Sequence, residues 1–262
     1  MISIDSFDNK RIKQIKSLKQ KKYRLKLNRY LLEGIKVINE AVISKKAREL
    51  YIRFSNENDR EIKNIIKNFD HNNSIFILND KLFDSLTDTI NSQGIIAICE
   101  RNILDIEEIL PFGKYILLDR ISDPGNLGGI IRSAEAFEFD GAILSPGCVD
   151  IYNEKTVRAT SASIFRLPIY EMKSRNQIDI LKKLKFKIFA ADMNGSSMIN
   201  ENELLQNFIL IIGNEGQGVG EDFLTKDIKK IHIPMKNSVE SLNANVAASI
   251  MMFESYRRSI EK

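Results

Sequence analysis

The sequence predicts an α/β protein of two domains, the second built on a mainly parallel sheet. At 262 residues the chain is long for one compact domain, and short apolar runs alternate with helical stretches along its length. Strands that alternate with helices favour parallel pairing, because a parallel return needs a long crossover. The charged segment 101–114, which contains one Pro and one Gly, predicts a linker between domains 1–100 and 115–262.

In the first domain, Ile and Leu residues at helical spacing predict helices over 11–27 and 35–44. Short apolar runs bounded by polar residues predict buried strands. These strands are expected at 30–34, 50–54, 75–78 and 94–100.

The second domain alternates more regularly. Strands are predicted at 115–119, 141–145, 165–169, 187–192, 208–213 and 230–234. Helices are predicted at about 127–138, 154–163, 176–184 and 241–258. Open parallel sheets bind ligands beyond the carboxyl ends of their strands, so the loops after 115–119, 208–213 and 230–234 become the candidate site.

Positive charge is concentrated at the N-terminus. Residues 1–50 contain 14 Lys and Arg against 5 Asp and Glu, although the whole chain carries a net charge of only +4. Such a block suits a polyanion, because neutralised phosphates release counterions; the alternative is a solvated helix face in a Lys-rich protein. The candidate nucleic-acid-binding residues are Lys10, Arg11, Lys21, Lys22 and Arg24.

Composition excludes several other classes of protein. No apolar run reaches the roughly 18 residues of a membrane span, and the N-terminus lacks the apolar segment of a secretory signal. The two cysteines, Cys99 and Cys148, show no metal or redox spacing. We therefore expect a cytoplasmic protein that has no metal site and no membrane partner.

The three candidate loops read "DPGNLGG", "GNEGQGVGE" and "PMKNSVESLNANVAAS". The second matches neither a P-loop nor a dinucleotide fingerprint, but its glycines allow a backbone to approach a ligand closely. Structural explanations exist for the polar residues: Asn126 and Ser241 are plausible helix N-caps, Glu215 an exposed loop carboxylate, and Arg132 a solvated side chain. The last helix has an apolar stripe at Leu242, Val246, Ile250 and Phe253.

Together these segments resemble a known family. "LLDRISDPGNLGGIIRSAEAF", "LIIGNEGQGV" and "IHIPMKNSVESLNANVAASI" are similar, in order and spacing, to the three motifs of the SpoU (TrmH) family of RNA ribose 2′-O-methyltransferases. The N-terminal basic segment resembles the family's substrate-binding domain, which is similar to an RNA-binding ribosomal protein. Within the stretch "VDIYNEKTVRATSASIFRLPI", Glu154 replaces a common Pro and Ala162 a usual Gly.

The resemblance implies a trefoil-knot (SPOUT) methyltransferase domain that works as a homodimer through the C-terminal half. It also implies S-adenosylmethionine as methyl donor and an RNA 2′-hydroxyl as acceptor. The residues at matching donor positions are Gly213, Asn214, Gly216, Ile233 and Leu242. The residues that match the catalytic set are Arg132, Asn126, Glu215, Ser241 and Asn243.

The resemblance gives Arg132 a central part in the reaction. A guanidinium keeps its proton in water, so we favour an Arg132 that clamps the adjacent phosphate while an RNA oxygen or a deprotonated guanidinium accepts the proton. Structured 23S ribosomal RNA is favoured as substrate over transfer RNA. A catalytically inactive RNA-binding protein and a small-molecule enzyme remain the alternatives.

Overall fold

The computed structural model describes residues 1–70, 74–87, 91–198, 206–236 and 241–261. By contacts the chain divides into two compact units, Met1–Arg101 with Tyr152–Arg158, and Asn102–Ile151 with Ala159–Lys262. Residues 152–158 therefore belong to the first unit although they follow the first motif in sequence. Much of the segment expected to be a linker joins the second unit, where residues 104 and 105 form a strand.

The strands are β1 (Ile2–Ile4), β2 (Arg29–Glu33), β3 (Ala47–Arg53), β4 (Ser74–Leu78), β5 (Ile95–Glu100), β6 (Leu104–Asp105), β7 (Lys114–Leu118), β8 (Gly141–Leu144), β9 (Ile169–Glu171), β10 (Lys187–Ser197), β11 (Phe208–Ile212) and β12 (Lys229–His232). The helices are α1 (Lys10–Ser17), α2 (Lys21–Leu27), α3 (Ile35–Ile43), α4 (Arg60–Asn68), α5 (Asp80–Asp84), α6 (Pro124–Ala136), α7 (Glu154–Ala159), α8 (Ile178–Lys183) and α9 (Ala244–Ile260).

The first unit is a mixed sheet in the order β1-β4-β3-β5-β2, with helices on both faces. Strand β5 runs antiparallel to β2 and β3, while β4 runs parallel to β1 and β3. One face packs on α1 and α5, whose apolar residues form a core with Tyr51 and Ile96. Alternate strand residues point to opposite faces, so α3, which contacts β2, β3 and β5, covers the other face together with α4.

The N-terminal helix differs from the sequence expectation. The single helix over 11–27 is wrong: the chain forms α1 and α2, separated by a turn. The guanidinium of Arg24 donates through Nη1 to the carbonyls of Leu18, at 2.9 Å, and Lys19, at 2.8 Å, beyond the end of α1. These bonds satisfy carbonyls that a continuous helix would have used, and they draw Arg24 inward while Leu25 stays exposed.

The second unit confirms the predicted parallel sheet. Its strands lie in the order β12-β10-β11-β7-β8-β9-β6, and every described pairing is parallel. Because β7 and β11 are neighbours, the loops that follow their carboxyl ends emerge side by side. The fold thus brings the first two motif loops to one edge of the sheet.

Two predicted elements of this unit end early or start late. The helix expected over 154–163 stops at Ala159, and the strand expected over 165–169 begins only at Ile169. Between them Ala162 has φ +77°, a left-handed conformation that glycine adopts at no steric cost. This explains why Gly is usual at the corresponding position of the family that the sequence resembles.

Helix α9 buries a different face from the one expected. The side chains that enter the core are Ala244, Ala248, Met251, Met252 and Ser255. Val246, Ile250 and Phe253, predicted as its apolar stripe, are exposed. Met251 and Met252 are therefore core residues.

Candidate active site

The second and third motif loops, together with residues 191–193 of β10, line a cavity of about 140 Å³ at the carboxyl edge of the second sheet. The cavity lies beyond β11 and β12 and is closed on one side by the start of α9. Its lining includes four of the five predicted donor residues, namely Gly213, Asn214, Ile233 and Leu242. Gly216 belongs to the same loop but does not line the cavity. Residues 237–240 of the third loop lie outside the described residues.

Gly213 is the tightest point of the cavity wall. A Cβ built on this residue would lie 2.1 Å from the carbonyl carbon of Gly218 and 2.2 Å from the backbone nitrogen of Val219. Only glycine therefore allows the loop to fold back on itself, with Asn214 and Gly218 exchanging backbone hydrogen bonds of 3.1 and 2.8 Å. The result is a wall of bare backbone facing the cavity.

Asn214 holds this loop from within. Its Oδ1 accepts from the backbone N–H groups of Gly216, at 3.0 Å, and Gln217, at 3.2 Å, while its Nδ2 donates to the carbonyl of Arg120 at 3.0 Å. The side chain thus ties the second motif loop to the first.

Side chains from the three motifs meet in one hydrogen-bonded chain. Asn126 Nδ2 donates to Glu215 Oε1 at 2.5 Å, and Asn243 Nδ2 donates to Asn126 Oδ1 at 3.0 Å. Residues 126 and 243 are 117 positions apart in sequence. Since each amide is oriented by its neighbour, the three side chains hold one another in a fixed geometry.

The helix caps differ from the predicted ones. Helix α6 is capped by Asp123, whose carboxylate accepts from the backbone N–H of Asn126 at 2.8 Å. Helix α9 is capped by Asn243, which accepts from the backbone N–H groups of Asn245 and Val246. The side chain of Asn126 therefore does not cap α6. Ser241, also predicted as a cap, lies before α9 and lines the cavity instead.

Arg132 occupies the face of α6 that was predicted. The opposite side of the helix is fully buried, while Arg132 is exposed. Among the residues that the structure describes, it makes no hydrogen bond or ion pair. Since no described residue binds its guanidinium, Arg132 is available to an external anion.

A buried ionic cluster beneath the loops was not foreseen in the sequence. Asp119, at the end of β7, has 0% exposure and accepts from Arg175 Nη1 and Ser145 Oγ, both at 2.9 Å, and from the backbone N–H of Gly220 at 2.9 Å. Arg120 adds an ion pair to Asp119 at 3.2 Å. The only sequence signal for this cluster was the position of Asp119, a charged residue directly after a buried strand. No sequence pattern indicated Arg175 as its partner.

The charge of the cavity lining is negative. Asp192 and Glu215 contribute carboxylates, and no Lys or Arg is among the lining residues that the structure describes. Partial burial raises the pKa of Asp192, but a hydrogen bond from the backbone N–H of Asn194 and an ion pair with Lys230 outweigh it, so the pKa lies below its usual value. The wall therefore favours a cationic ligand.

The predicted RNA-binding residues lie in the first unit and differ in exposure. Lys10, Lys21 and Lys22 are exposed, and Arg11 is exposed but paired with Glu49 at 3.2 Å. Arg24 is only 5% exposed and its guanidinium holds backbone carbonyls. We therefore leave Arg24 out of the candidate RNA-binding surface.

Metal and membrane sites were sought in the described ranges of the chain. Within them, no group of three or more His, Cys, Asp and Glu side chains is placed to hold a metal ion. No helix there is long and apolar enough to cross a membrane.

Comparison with known proteins extends the resemblance to most of the chain. Residues 113–253 match the SpoU rRNA methylase family, and residues 9–97 match the MRM3-like substrate-binding domain. The chain is 31% identical over 254 residues to the 23S rRNA (guanosine(2553)-2′-O)-methyltransferase RlmP of Bacillus subtilis, covering 97% of this chain and 98% of that protein.

Solved structures agree with this relationship. The AdoMet-bound rRNA methyltransferase of Sinorhizobium meliloti superposes with a TM-score of 0.87 at 28% identity, covering 97% of each chain. The SpoU methyltransferase AviRb of Streptomyces viridochromogenes, in complex with AdoMet, gives 0.84 at 25% identity and covers 97% of this chain and 100% of that chain. Because the family match spans more than half of the sequence and includes all three loops, this chain belongs to the SpoU rRNA methylase family.

Proposed function

We propose that this protein transfers a methyl group from S-adenosylmethionine to a ribose 2′-hydroxyl of 23S ribosomal RNA. The observation that carries the proposal is the chain Glu215–Asn126–Asn243 beside a cavity with a backbone wall. The names of two relatives support ribosomal RNA as substrate: RlmP of Bacillus subtilis, and the 23S rRNA (uridine(2479)-2′-O)-methyltransferase of Streptomyces viridochromogenes, which is 30% identical over 174 residues. Transfer RNA remains the second substrate to test.

The cavity fits such a donor. Bare backbone at Gly213 lets a flat ring approach closely and offers amide and carbonyl groups to its edge. Apolar side chains such as Ile212 and Leu242 line the same space, and the carboxylates of Asp192 and Glu215 suit a positive charge. S-adenosylmethionine supplies a methyl group on a sulfonium, which becomes a neutral thioether when an oxygen takes the methyl.

The protein's part is to bring the ribose oxygen into line and to receive its proton. Asn126 and Asn243, each held by a neighbouring amide or carboxylate, orient the ribose. Arg132 clamps the adjacent phosphate in bidentate fashion, and the hydroxyl proton passes to an RNA oxygen or to a deprotonated guanidinium. Glu215 fixes Asn126, and Ser241 lines the cavity proposed for the donor.

We also propose a homodimer through the second unit, with the trefoil knot that the family resemblance implies. Val246, Ile250 and Phe253 form an exposed apolar stripe on α9, at helical spacing. Exposed apolar patches of this kind mark protein interfaces. The first unit, which contains the residues 1–100 predicted as the first domain, serves as the RNA-binding domain. The cytoplasm, where ribosomal RNA is found, is the proposed location.

The test is transfer of tritium from labelled S-adenosylmethionine to unmodified 23S ribosomal RNA and to transfer RNA. We expect label in ribosomal RNA, at a ribose whose 2′-O-methyl mark is lost when the gene is deleted. Label in transfer RNA alone would indicate that transfer RNA, and not ribosomal RNA, is the substrate. No transfer to either, with RNA binding intact, would indicate an inactive RNA-binding protein.

A further inference from the structure

A second positively charged surface lies on the first unit, in a groove of about 920 Å³ between α3 and α4. The groove is lined by four basic side chains, Lys36, Arg60, Lys63 and Lys67, against one carboxylate, Glu61. It lies on the sheet face opposite α1, which carries part of the N-terminal basic block. The sequence analysis did not single out this surface.

The four cations of the groove are not neutralised by described carboxylates. Lys36, Arg60 and Lys67 are exposed and make no hydrogen bond or ion pair with any residue that the structure describes. Lys63 donates only to the neutral Asn58 Oδ1, at 2.9 Å. Elsewhere in the unit, carboxylates pair with Arg11, Lys13, Arg29, Arg48 and Arg53.

The spacing of these cations matches a phosphate backbone. Arg60, Lys63 and Lys67 stand at i, i+3 and i+7 on one face of α4, whose opposite face buries Ile62 and Ile65. At about 1.5 Å of rise per residue this stripe is about 10 Å long. A nucleic-acid strand advances about 3.4 Å per phosphate, so the stripe spans about three phosphates.

A neutral polar group accompanies the charges. Asn39 lines the groove, and its buried Oδ1 has no hydrogen-bond partner among the described residues. Buried acceptors in proteins normally have a donor. The amide of Asn39 thus places a polar group beside the charges of the groove, and a ribose 2′-hydroxyl is a hydrogen-bonding partner that RNA has and DNA lacks.

We propose that the α3–α4 groove binds the phosphate–ribose backbone of the RNA substrate, as a contact separate from the basic residues of α1 and α2. The inference rests on the proposed function, because it takes the ligand to be RNA. An acidic polypeptide is the competing ligand that charge alone would allow. The single stripe and the unpartnered Asn39 favour RNA.

The test uses the full-length chain and an unmodified transcript of 23S ribosomal RNA. Lys63→Gln with Lys67→Gln removes two groove charges, and Lys81→Gln with Lys183→Gln removes two exposed charges elsewhere. We expect the groove variant to lose about tenfold or more in RNA affinity at low salt and to lower the slope of log K against log salt by about 1.5. The control pair should change neither. Calorimetric affinity for S-adenosylmethionine and the melting temperature verify that both variants are folded.

Several outcomes overturn the groove. The proposal is wrong if the groove variant has the RNA affinity and salt slope of the wild type, or if the groove variant and the control pair lose RNA affinity equally. It is also wrong if the groove variant loses affinity for poly-glutamate but not for RNA. Should the groove variant melt early, Lys36→Gln with Lys67→Gln replaces it. Methyl transfer by the wild type is measured in parallel. Groove-dependent RNA binding without transfer would contradict the proposed function alone, and transfer with wild-type binding in the variant would contradict the groove alone.

Discussion

Arg132 is the residue at which stability and activity separate most clearly. It is exposed and bonds to no described residue, so Arg132→Ala should change the free energy of unfolding by no more than about 0.5 kcal/mol. If it clamps the phosphate beside the reacting ribose, the same variant should lose methyl transfer by several orders of magnitude. Donor affinity should survive, because Arg132 does not line the donor cavity.

Single-turnover methylation, calorimetric donor binding and a melting curve test this prediction together. Arg132→Lys is the matched variant: an ammonium keeps the charge but not the planar fork, so it should restore little transfer. Turnover near that of wild type in a folded Arg132→Ala protein would show that Arg132 is a solvated surface side chain with no part in the reaction.

In contrast to Arg132, substitution of Asp119 should lower the free energy of unfolding strongly. Asp119→Ala removes the partner of two arginines and of a loop N–H, and breaking a buried ion pair costs about 3–5 kcal/mol. We expect a loss of that order in urea unfolding. Asp222, which is 68% exposed and pairs with the same Arg175 at 2.8 Å, is the control: Asp222→Ala should cost less than about 1 kcal/mol. Similar losses from both variants would show that burial of the cluster contributes nothing.

At the scale of elements, the conformation of the loop after β11 depends more on Gly213 than on the other glycines of the loop. Gly213→Ala would drive a Cβ into the backbone of Gly218 and Val219, so the loop must open and its cavity wall must move. We expect donor affinity to fall at least tenfold by calorimetry. Gly216→Ala is the control, since the nearest atom to its added Cβ is Asn214 Oδ1 at 3.7 Å, an ordinary contact. Equal donor affinities in the two variants would contradict this account of the wall.

At the scale of the whole molecule, the exposed stripe of α9 predicts the oligomeric state. Ile250 is 38% exposed and Phe253 48% exposed, so Ile250→Asp with Phe253→Asp should fold but sediment as a monomer. Wild-type protein should sediment as a dimer at micromolar concentration. Ile43→Asp, on a more exposed apolar residue of the first unit, should remain dimeric. Sedimentation of the wild-type protein as a monomer would contradict the proposed homodimer.

The sequence alone determined the parallel sheet, the edge of that sheet at which the cavity lies, and the polar residues that meet there. These follow from local rules: apolar runs form buried strands, and parallel strands bring their carboxyl ends to one edge. Helical periodicity also placed Arg132 on the solvent side of α6, because one face of that helix is continuously apolar.

Tertiary structure decided which partners the side chains take. Both faces of α9 carry apolar residues, so periodicity could not tell which face the sheet would cover, and Met251 and Met252 entered the core instead of Ile250 and Phe253. Arg24 belongs to a basic block by composition, yet its side chain is buried because its guanidinium donates to the carbonyls of Leu18 and Lys19, just after the end of α1. Asp119 and Arg175 meet across 56 residues. Pairings at that distance depend on how the chain returns to the same place, which no local pattern records.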